Sequence, residues 1–581
     1  MLDALRLTLS YPKTSWQLCL LGVIAGVCAA TVIIIFRLSF QYIQLHLLPE
    51  LGAYDQLTWY ARFALPFMGV LGIYLVALLT GREHYRLGIP FVIHRFKNDY
   101  GLMPFRSSIN QFFGGIFALA SGFFVGREGP SVHLGAAGTS FVGDGLKLPY
   151  NCIRILAGCG IAAGIAASFN TPFAAVMFVM EVVMRNYRIH IFIPIMLSAA
   201  IGSVMSRLVF GEGTALLFLS FADLDKIIFV YLIIFGMFLG ALSALFNHQL
   251  MQVMQRCQHM SMPLRFALAA AVTGSIGIFL PQAMGAEFEA VHILFDQEVS
   301  IGVLIGILVA KFVLAMVAIG LGIPGGIIGP VMIIGMFSGA ILAYPLETLI
   351  GTTQHHDSFV LLGLAGMLTA VLHAPLAALS AVMELSYAPE IVLPAILVIV
   401  PAYVVSNQVF NNRSIFIRQM EFQQLNYKLA PVIQNLQRTG VLALCQQPVQ
   451  QFTESEHSAM LEYLQEHPTD LCIYQSQQPT EGSLELHSEH INQAGNHPKT
   501  HLESTLTWYL VEPDVRLTKD SQPVLTTRLP IFSYQNTLGE VYDELQGRRN
   551  GAVLITCPNA HKIYGVITWN ALHSYLFQLE H

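Results

Sequence analysis

The chain has 581 residues, of which 54% are hydrophobic and only 11% charged, and its mean hydropathy is +0.58. No soluble protein of this length carries that composition, so the chain reads as a polytopic membrane protein. A net charge of −6 argues against nucleic acid as a partner. Apolar runs fill residues 16–409, and beyond Glu421 the sequence turns rich in Gln, His and Glu with short apolar strands. That shift predicts a membrane domain followed by a soluble one. Eight cysteines lie scattered without metal-ligand or disulfide spacing and read as free thiols.

Residues 1–14 are weakly amphipathic and lack a cleavage site, which predicts an interfacial helix. Residues 18–40 and 63–79 are each long enough to span a bilayer. The apolar segments 112–125, 153–169, 172–183 and 192–209 are shorter, with Gly and Pro between them. They predict broken, tilted helices that do not span as simple rods. Lys and Arg cluster in 82–97, 185–188 and 413–418, so these stretches and the tail are expected on the cytoplasmic side.

The chain repeats itself. Residues 122–135 read G-F-F-V-G-R-E-G-P-S-V-H-L-G, and two hundred positions on 322–335 read G-I-P-G-G-I-I-G-P-V-M-I-I-G. Gly122, Gly126, Gly129, Pro130 and Gly135 recur as Gly322, Gly326, Gly329, Pro330 and Gly335. A second block, Gly160 and then Pro172 through Glu181, recurs as Gly363 and then Pro375 through Glu384. Two blocks in order at nearly one offset predict duplicated halves of about 15–215 and 225–420, parallel or inverted. Each glycine-rich break precedes a Pro in the first turn of an apolar helix. Such a break presents unpaired backbone N–H groups at the positive end of a helix, which inside a membrane makes an anion site.

Gly126-Arg127-Glu128-Gly129-Pro130 and Gly326-Ile327-Ile328-Gly329-Pro330 closely resemble signatures of the CLC family of chloride channels and proton/chloride exchangers. The resemblance covers residues 15–420. It implies an all-α polytopic membrane fold, an inverted repeat of broken, tilted helices, assembled as a homodimer with one anion path per subunit. Glu128 matches the family's gating glutamate, whose carboxylate takes the place of an anion and swings aside when displaced or protonated. The physics agrees, because a carboxylate among helix N-termini competes with an anion for the same donors. Gly126, Arg127 and Gly129 fall beside it, with Arg127 expected to fix local structure and field. Ile327 and Ile328 match the residues whose backbone N–H groups bind the central anion.

Three positions depart from the family pattern. Arg86-Leu87-Gly88-Ile89-Pro90 stands where the family often has G-S-G-I-P, so Leu87 replaces a serine at the cytoplasmic constriction beside Gly88. Phe416 stands where a tyrosine is usual, so a second hydroxyl is gone. Glu181, repeated at Glu384, fits a structural glutamate, and Val182 occupies the position where exchangers of the family carry a proton-relay glutamate. One residue is about 100° around a helix, so Glu181 does not simply substitute. Val182 resembles the family's channels.

After a linker at 421–440, residues 441–581 resemble a CBS pair, a small α/β regulatory domain. The clearer copy has a helix at 537–545, strands at 552–556 and 563–568 joined by a polar turn at Pro558-Asn559, and a closing helix at 570–579. A degraded copy starts at Val441 and resumes at 506–511 after a polar insertion of about 475–503. Nucleotide-binding members carry an Asp where this chain has Ala571, so a structural module is expected here rather than an adenine-nucleotide sensor. His467, His487, His490, His497 and His501 show no ligand spacing.

The expected function is movement of chloride or another small anion across a plasma or bacterial inner membrane. Passive, channel-like conduction gated by Glu128 comes first and a proton/chloride exchanger second. No cofactor and no metal is expected. An intramembrane enzyme is set aside because no H-E-x-x-H and no Ser/His or Asp/Asp pair falls in the Gly-rich spans. A receptor acting through the tail lacks an output motif.

Overall fold

The computed structural model describes residues 2–11, 15–82, 85–185, 187–211, 216, 219, 221, 228–286, 291, 293–294, 300–350, 355–425, 436–446, 449–453, 456–467, 471–476, 507–511, 527–547, 551–557 and 562–580. They fall into two compact units. One comprises Trp16–Gly145 and Ile153–Tyr427, the other Met1–Ser15, Leu146–Cys152 and Lys428–His581.

In chain order the first helices are α1 (Leu2–Ser10), α2 (Trp16–Leu47), α3 (Trp59–Thr80), α4 (Gly88–Asn98), α5 (Phe105–Ala120), α6 (Glu128–Gly145), α7 (Tyr150–Phe169), α8 (Pro172–Phe178) and α9 (Ile189–Phe210). The second half brings α10 (Ile228–Cys257), α11 (Met262–Phe279), α12 (Ile301–Gly320), α13 (Ile328–Ile350), α14 (His356–Leu372), α15 (Pro375–Ser386), α16 (Val392–Val404) and α17 (Ile415–Phe422). Among the described residues nine helices are long and apolar enough to cross a membrane, α2 and α3 included.

The expectation for 153–169 and 192–209 needs correction, because α7 and α9 are unbroken and count among those nine. Pro194 sits near the start of α9, where little of the backbone ladder is lost. The other two segments are interrupted as expected: 112–125 runs past the end of α5 at Ala120, and the seven residues of α8 pass into a π-turn at Val179–Met184 that ends on Arg185 at φ +53°.

The two halves match element by element. α2 packs on α9 as α10 packs on α16. A Cβ on Gly22 or Gly26 would crowd the carbonyls of Pro194 or Ser198, and one on Gly236 or Gly240 would overlap those of Val398 or Ala402. Likewise Gly135 lies against Gly160, and Gly335 against Gly363, too close for any side chain. These glycines recur because helices in a membrane gain attraction through close backbone approach.

The halves are inverted. Glu384, near the end of α15, accepts the N–H groups of Phe173 (2.9 Å) and Ala174 (2.8 Å) at the start of α8. Glu181, in the turn following α8, accepts those of Leu376 (3.3 Å) and Ala377 (2.8 Å) at the start of α15. Each glutamate caps the helix of the other half, which requires the two helices to run in opposite directions. Pro172 and Pro375 have no N–H to offer, so two donors per helix meet one carboxylate each. A charge-assisted bond of this kind contributes on the order of 1.5–3 kcal/mol.

The tail unit runs β-α-β-β-β and then β-α-β-β-α. β1 (Gln450–Thr453) pairs parallel with β2 (Cys472–Ser476), and β3 (Thr507–Val511) joins β2 antiparallel with β4 (Thr527–Arg528) beyond it. Helix α18 (His457–Glu466) connects the first two strands. Likewise β5 (Ile531–Ser533) pairs parallel with β6 (Ala552–Cys557) through α19 (Leu538–Leu545), and β7 (Lys562–Thr568) runs antiparallel before α20 (Trp569–Glu580). Thr537 and Glu540 form a capping box on α19. The tail is thus a small α/β region, and Thr568 Oγ1 accepts the N–H of Ala571 at the start of α20. The Pro558-Asn559 turn, most of the 475–503 insertion and half of the 421–440 linker lie outside the described residues.

α1 groups with the tail unit. Its Leu9 and Ser10 are buried, Ser10 O accepts the N–H of Gly440 (2.9 Å), and Leu9 O accepts from Asn151 Nδ2 (2.9 Å). Arg6 lies over the Tyr534 ring at 4.8 Å.

Candidate functional site

The two glycine motifs meet. Gly126 N–H donates to Gly326 O at 2.8 Å and Gly326 N–H to Gly126 O at 2.6 Å, an isolated antiparallel bridge between loops two hundred positions apart. From that bridge α6 and α13 each start two residues on, in the same register. The first intrahelical donors are Ser131, to Arg127 O at 3.0 Å, and Val331, to Ile327 O at 3.1 Å. The N–H groups of residues 127–129 and 327–329 therefore precede the helical ladders, and Pro130 and Pro330 carry none.

Glu128 is the first residue of α6 and is buried, 2% exposed. Its carboxylate lies in a cradle of glycines. A Cβ on Gly126 or Gly326 would overlap Oε2, and one on Gly329 would come within 2.7 Å of Oε1. The carboxylate therefore sits on the bare backbone of the second motif, at the N-terminus of α13. Ile327 is buried, and Ile328 lines a cavity of about 60 Å³ together with Glu128, Met332, Phe169, Phe178 and Ala377. That volume admits a few waters or one unhydrated halide. Arg127 turns away and lies over the Phe169 ring at 4.6 Å, which fits the structural part expected of it.

The inner positions are distributed around α4, α17 and the π-turn, which pack on one another or on α6. Leu87 is the half-buried residue before α4. Gly88 adopts φ +80°, and its N–H is already taken by Gln111 Oε1 at 2.9 Å. A side chain from α5 thus caps the start of α4. Gln111 is fully buried, and its Nε2 has no hydrogen-bond partner among the described residues. Sequence reasoning passed over Gln111, although an uncharged amide in an apolar helix was the visible signal. Phe416 is buried and meets Phe178 edge to face at 6.4 Å, so it borders the cavity's lining. Ser414, at the start of α17, keeps a buried hydroxyl with no partner among the described residues. The two apolar replacements thus have buried polar groups near them, Gln111 on α5 for Leu87 and Ser414 at the start of the same helix for Phe416.

Val182 is buried within the π-turn. Glu181 beside it is committed to the N-terminus of α15, which explains why it is no free stand-in for the missing relay. Among the described residues no group of three or more His, Cys, Asp or Glu side chains could hold a metal.

A model of the voltage-gated chloride channel family matches residues 68–407. Curated relatives named H(+)/Cl(-) exchange transporter ClcA are 27% identical over 421 residues in Klebsiella pneumoniae (68% of this chain, 86% of the relative) and 24% identical over 442 residues in Vibrio parahaemolyticus (74% and 94%). Among solved structures, a slow cyanobacterial Cl-/H+ antiporter superposes with a TM-score of 0.61 at 20% identity, covering 70% of this chain and 97% of that one. A eukaryotic CLC transporter superposes with a TM-score of 0.58 at 17% identity and covers 95% of this chain and 97% of its own, tail included. With the family model spanning more than half of its length and both glycine motifs joined at the Glu128 carboxylate, the chain belongs to the voltage-gated chloride channel (CLC) family.

Proposed function

We propose that the protein moves chloride across a membrane in exchange for protons, with Glu128 as both the gate and the outer proton acceptor. The carrying observation is the Glu128 carboxylate held where two helix N-termini meet, in the place a halide would take. An arriving anion competes for those donors, and protonation of Glu128 removes the competitor. The names of the relatives favour exchange over the channel-like conduction that the sequence suggested first. A homodimer with one path per subunit, in a plasma or inner membrane with the tail in the cytoplasm, is part of the same reading.

Passive conduction remains the second reading, and one observation favours it: Val182, apolar and buried, fills the usual relay position. The deciding experiment uses the purified full chain in sealed liposomes with an outward chloride gradient. Exchange moves protons inward against their own gradient, with a fixed ratio to chloride efflux. Chloride efflux with no accompanying proton movement assigns the protein to passive conduction.

A further inference from the structure

Lys311 is the eleventh residue of the twenty in α12, at mid-span, and is completely buried. Among the described residues no carboxylate pairs with it. Its ammonium lies 4.7 Å from the centre of the Phe124 ring, 5.7 Å from that of Phe337, and 3.5 Å from the carbonyl oxygen of Ala283. Both rings are fully buried. Phe124 belongs to the loop that leads into Glu128, and Phe337 lies on α13, whose first turn receives the Glu128 carboxylate. The charge is therefore wedged between the two elements that build the cradle.

An ammonium buried without a counter-ion is strongly disfavoured. Two ring faces and one long carbonyl contact offset only part of that cost. A fixed acid beside Lys311 would complete the balance but would also cancel its field at the cradle. We propose that Lys311 is the standing positive charge of the permeation site, balanced by the Glu128 carboxylate at rest and by the transported anion when Glu128 leaves. This rests on the anion-transport reading above and extends it to a residue that touches neither the ion nor the gate. Lys311 is a positioning charge, acting through space on whatever anion occupies the cradle.

Gly126 of the cradle is two residues on from Phe124, a reach of at most about 7 Å, so with the Phe124 side chain and the 4.7 Å ammonium contact added the ammonium lies within roughly 15–20 Å of the cradle. At an effective dielectric constant near 20, a unit charge at that range changes anion occupancy about four- to sixfold. Because this acts on binding, it belongs in the half-saturating chloride concentration and not in the maximal rate.

The test measures chloride efflux from liposomes against chloride concentration for the wild type, Lys311→Met, Lys311→Gln and Lys311→Arg in the full chain. Met fills the same volume without charge, Gln keeps a donor for the Ala283 carbonyl, and Arg keeps the charge. The expected result is a four- to sixfold rise in half-saturating chloride for Met and Gln alike, with the maximal rate kept, and recovery with Arg. The proposal is overturned if Met and Gln leave half-saturation unchanged, or if Arg shifts it as far as they do. A Met variant that fails to fold leaves the Gln and Arg pair to decide. Absence of anion movement in the wild type instead overturns the transport reading, and this one with it.

Discussion

Replacing Glu128 by Gln removes the negative charge from the cradle while keeping the side chain's volume. A carboxylate at one helix N-terminus gains about 0.3–1 kcal/mol, and up to about 2 kcal/mol where it is partly buried. Here two N-termini, those of α6 and α13, converge on one buried carboxylate, so roughly 2–4 kcal/mol of competition against an arriving anion is at stake. At 1.4 kcal/mol per decade this predicts a rise in anion affinity of about 30- to 700-fold in Glu128→Gln. Titration calorimetry of chloride into the detergent-solubilised wild type and variant reads that number directly. The same variant in liposomes should pass chloride with no proton movement, since the neutral amide neither competes nor exchanges a proton. An affinity within threefold of wild type, or proton coupling that survives, would refute the idea that this carboxylate and the anion share one seat.

Four further outcomes follow from particular contacts. Gly126→Ala places a methyl group where Glu128 Oε2 lies, against the movable end of a side chain, so it should expel the carboxylate and reproduce the uncoupled flux of Glu128→Gln in a folded protein. Gly160→Ala instead drives a methyl group into the backbone of Gly135, and should lower stability by about 1–3 kcal/mol, read as a lower unfolding temperature in detergent. Gln111→Leu strips the cap from Gly88 N–H and removes the spare amide donor; chloride-over-nitrate selectivity should fall severalfold while proton coupling is kept, as measured by paired efflux assays. In the tail, burial pushes the Cys445 thiol up to about 12, so the folded protein holds little thiolate at pH 8. Its alkylation there should run about a thousandfold slower than in the urea-unfolded chain, as followed by peptide mass spectrometry. The same raised value means that stability is fully present below about pH 9 and is lost as pH climbs through about 12, because the unfolded thiol releases its proton first.

Much of the membrane unit was legible because duplication writes the same physical need twice. Gly135 and Gly335 recur for a packing reason, since each lets a neighbouring helix approach through Gly160 or Gly363. The Gly126 and Gly326 motifs recur because each must expose backbone at one place, and the bridge between them shows where. Partners could not be read from identity alone. Glu181 and Glu384 were visible as a matched pair, yet each finds its donors in the opposite half, a contact no local pattern announces. α8 looked like an apolar helix because a π-turn leaves no mark on hydropathy. Gln111 and Lys311 were single polar residues in apolar runs, and their meaning came only from what surrounds them. In the tail, the better copy showed its strands, whereas α1 joined that unit through backbone and amide contacts that amphipathicity does not reveal.

The crossed capping has a consequence for biogenesis. Neither half holds the acceptors for its own short helix, so the first half leaves the ribosome with the α8 donors of Phe173 and Ala174 unclaimed until Glu384 is synthesised. The permeation pathway is therefore completed late and in a single step. Two separately translated fragments, cut between α9 and α10, have complementary needs that draw them into one working molecule.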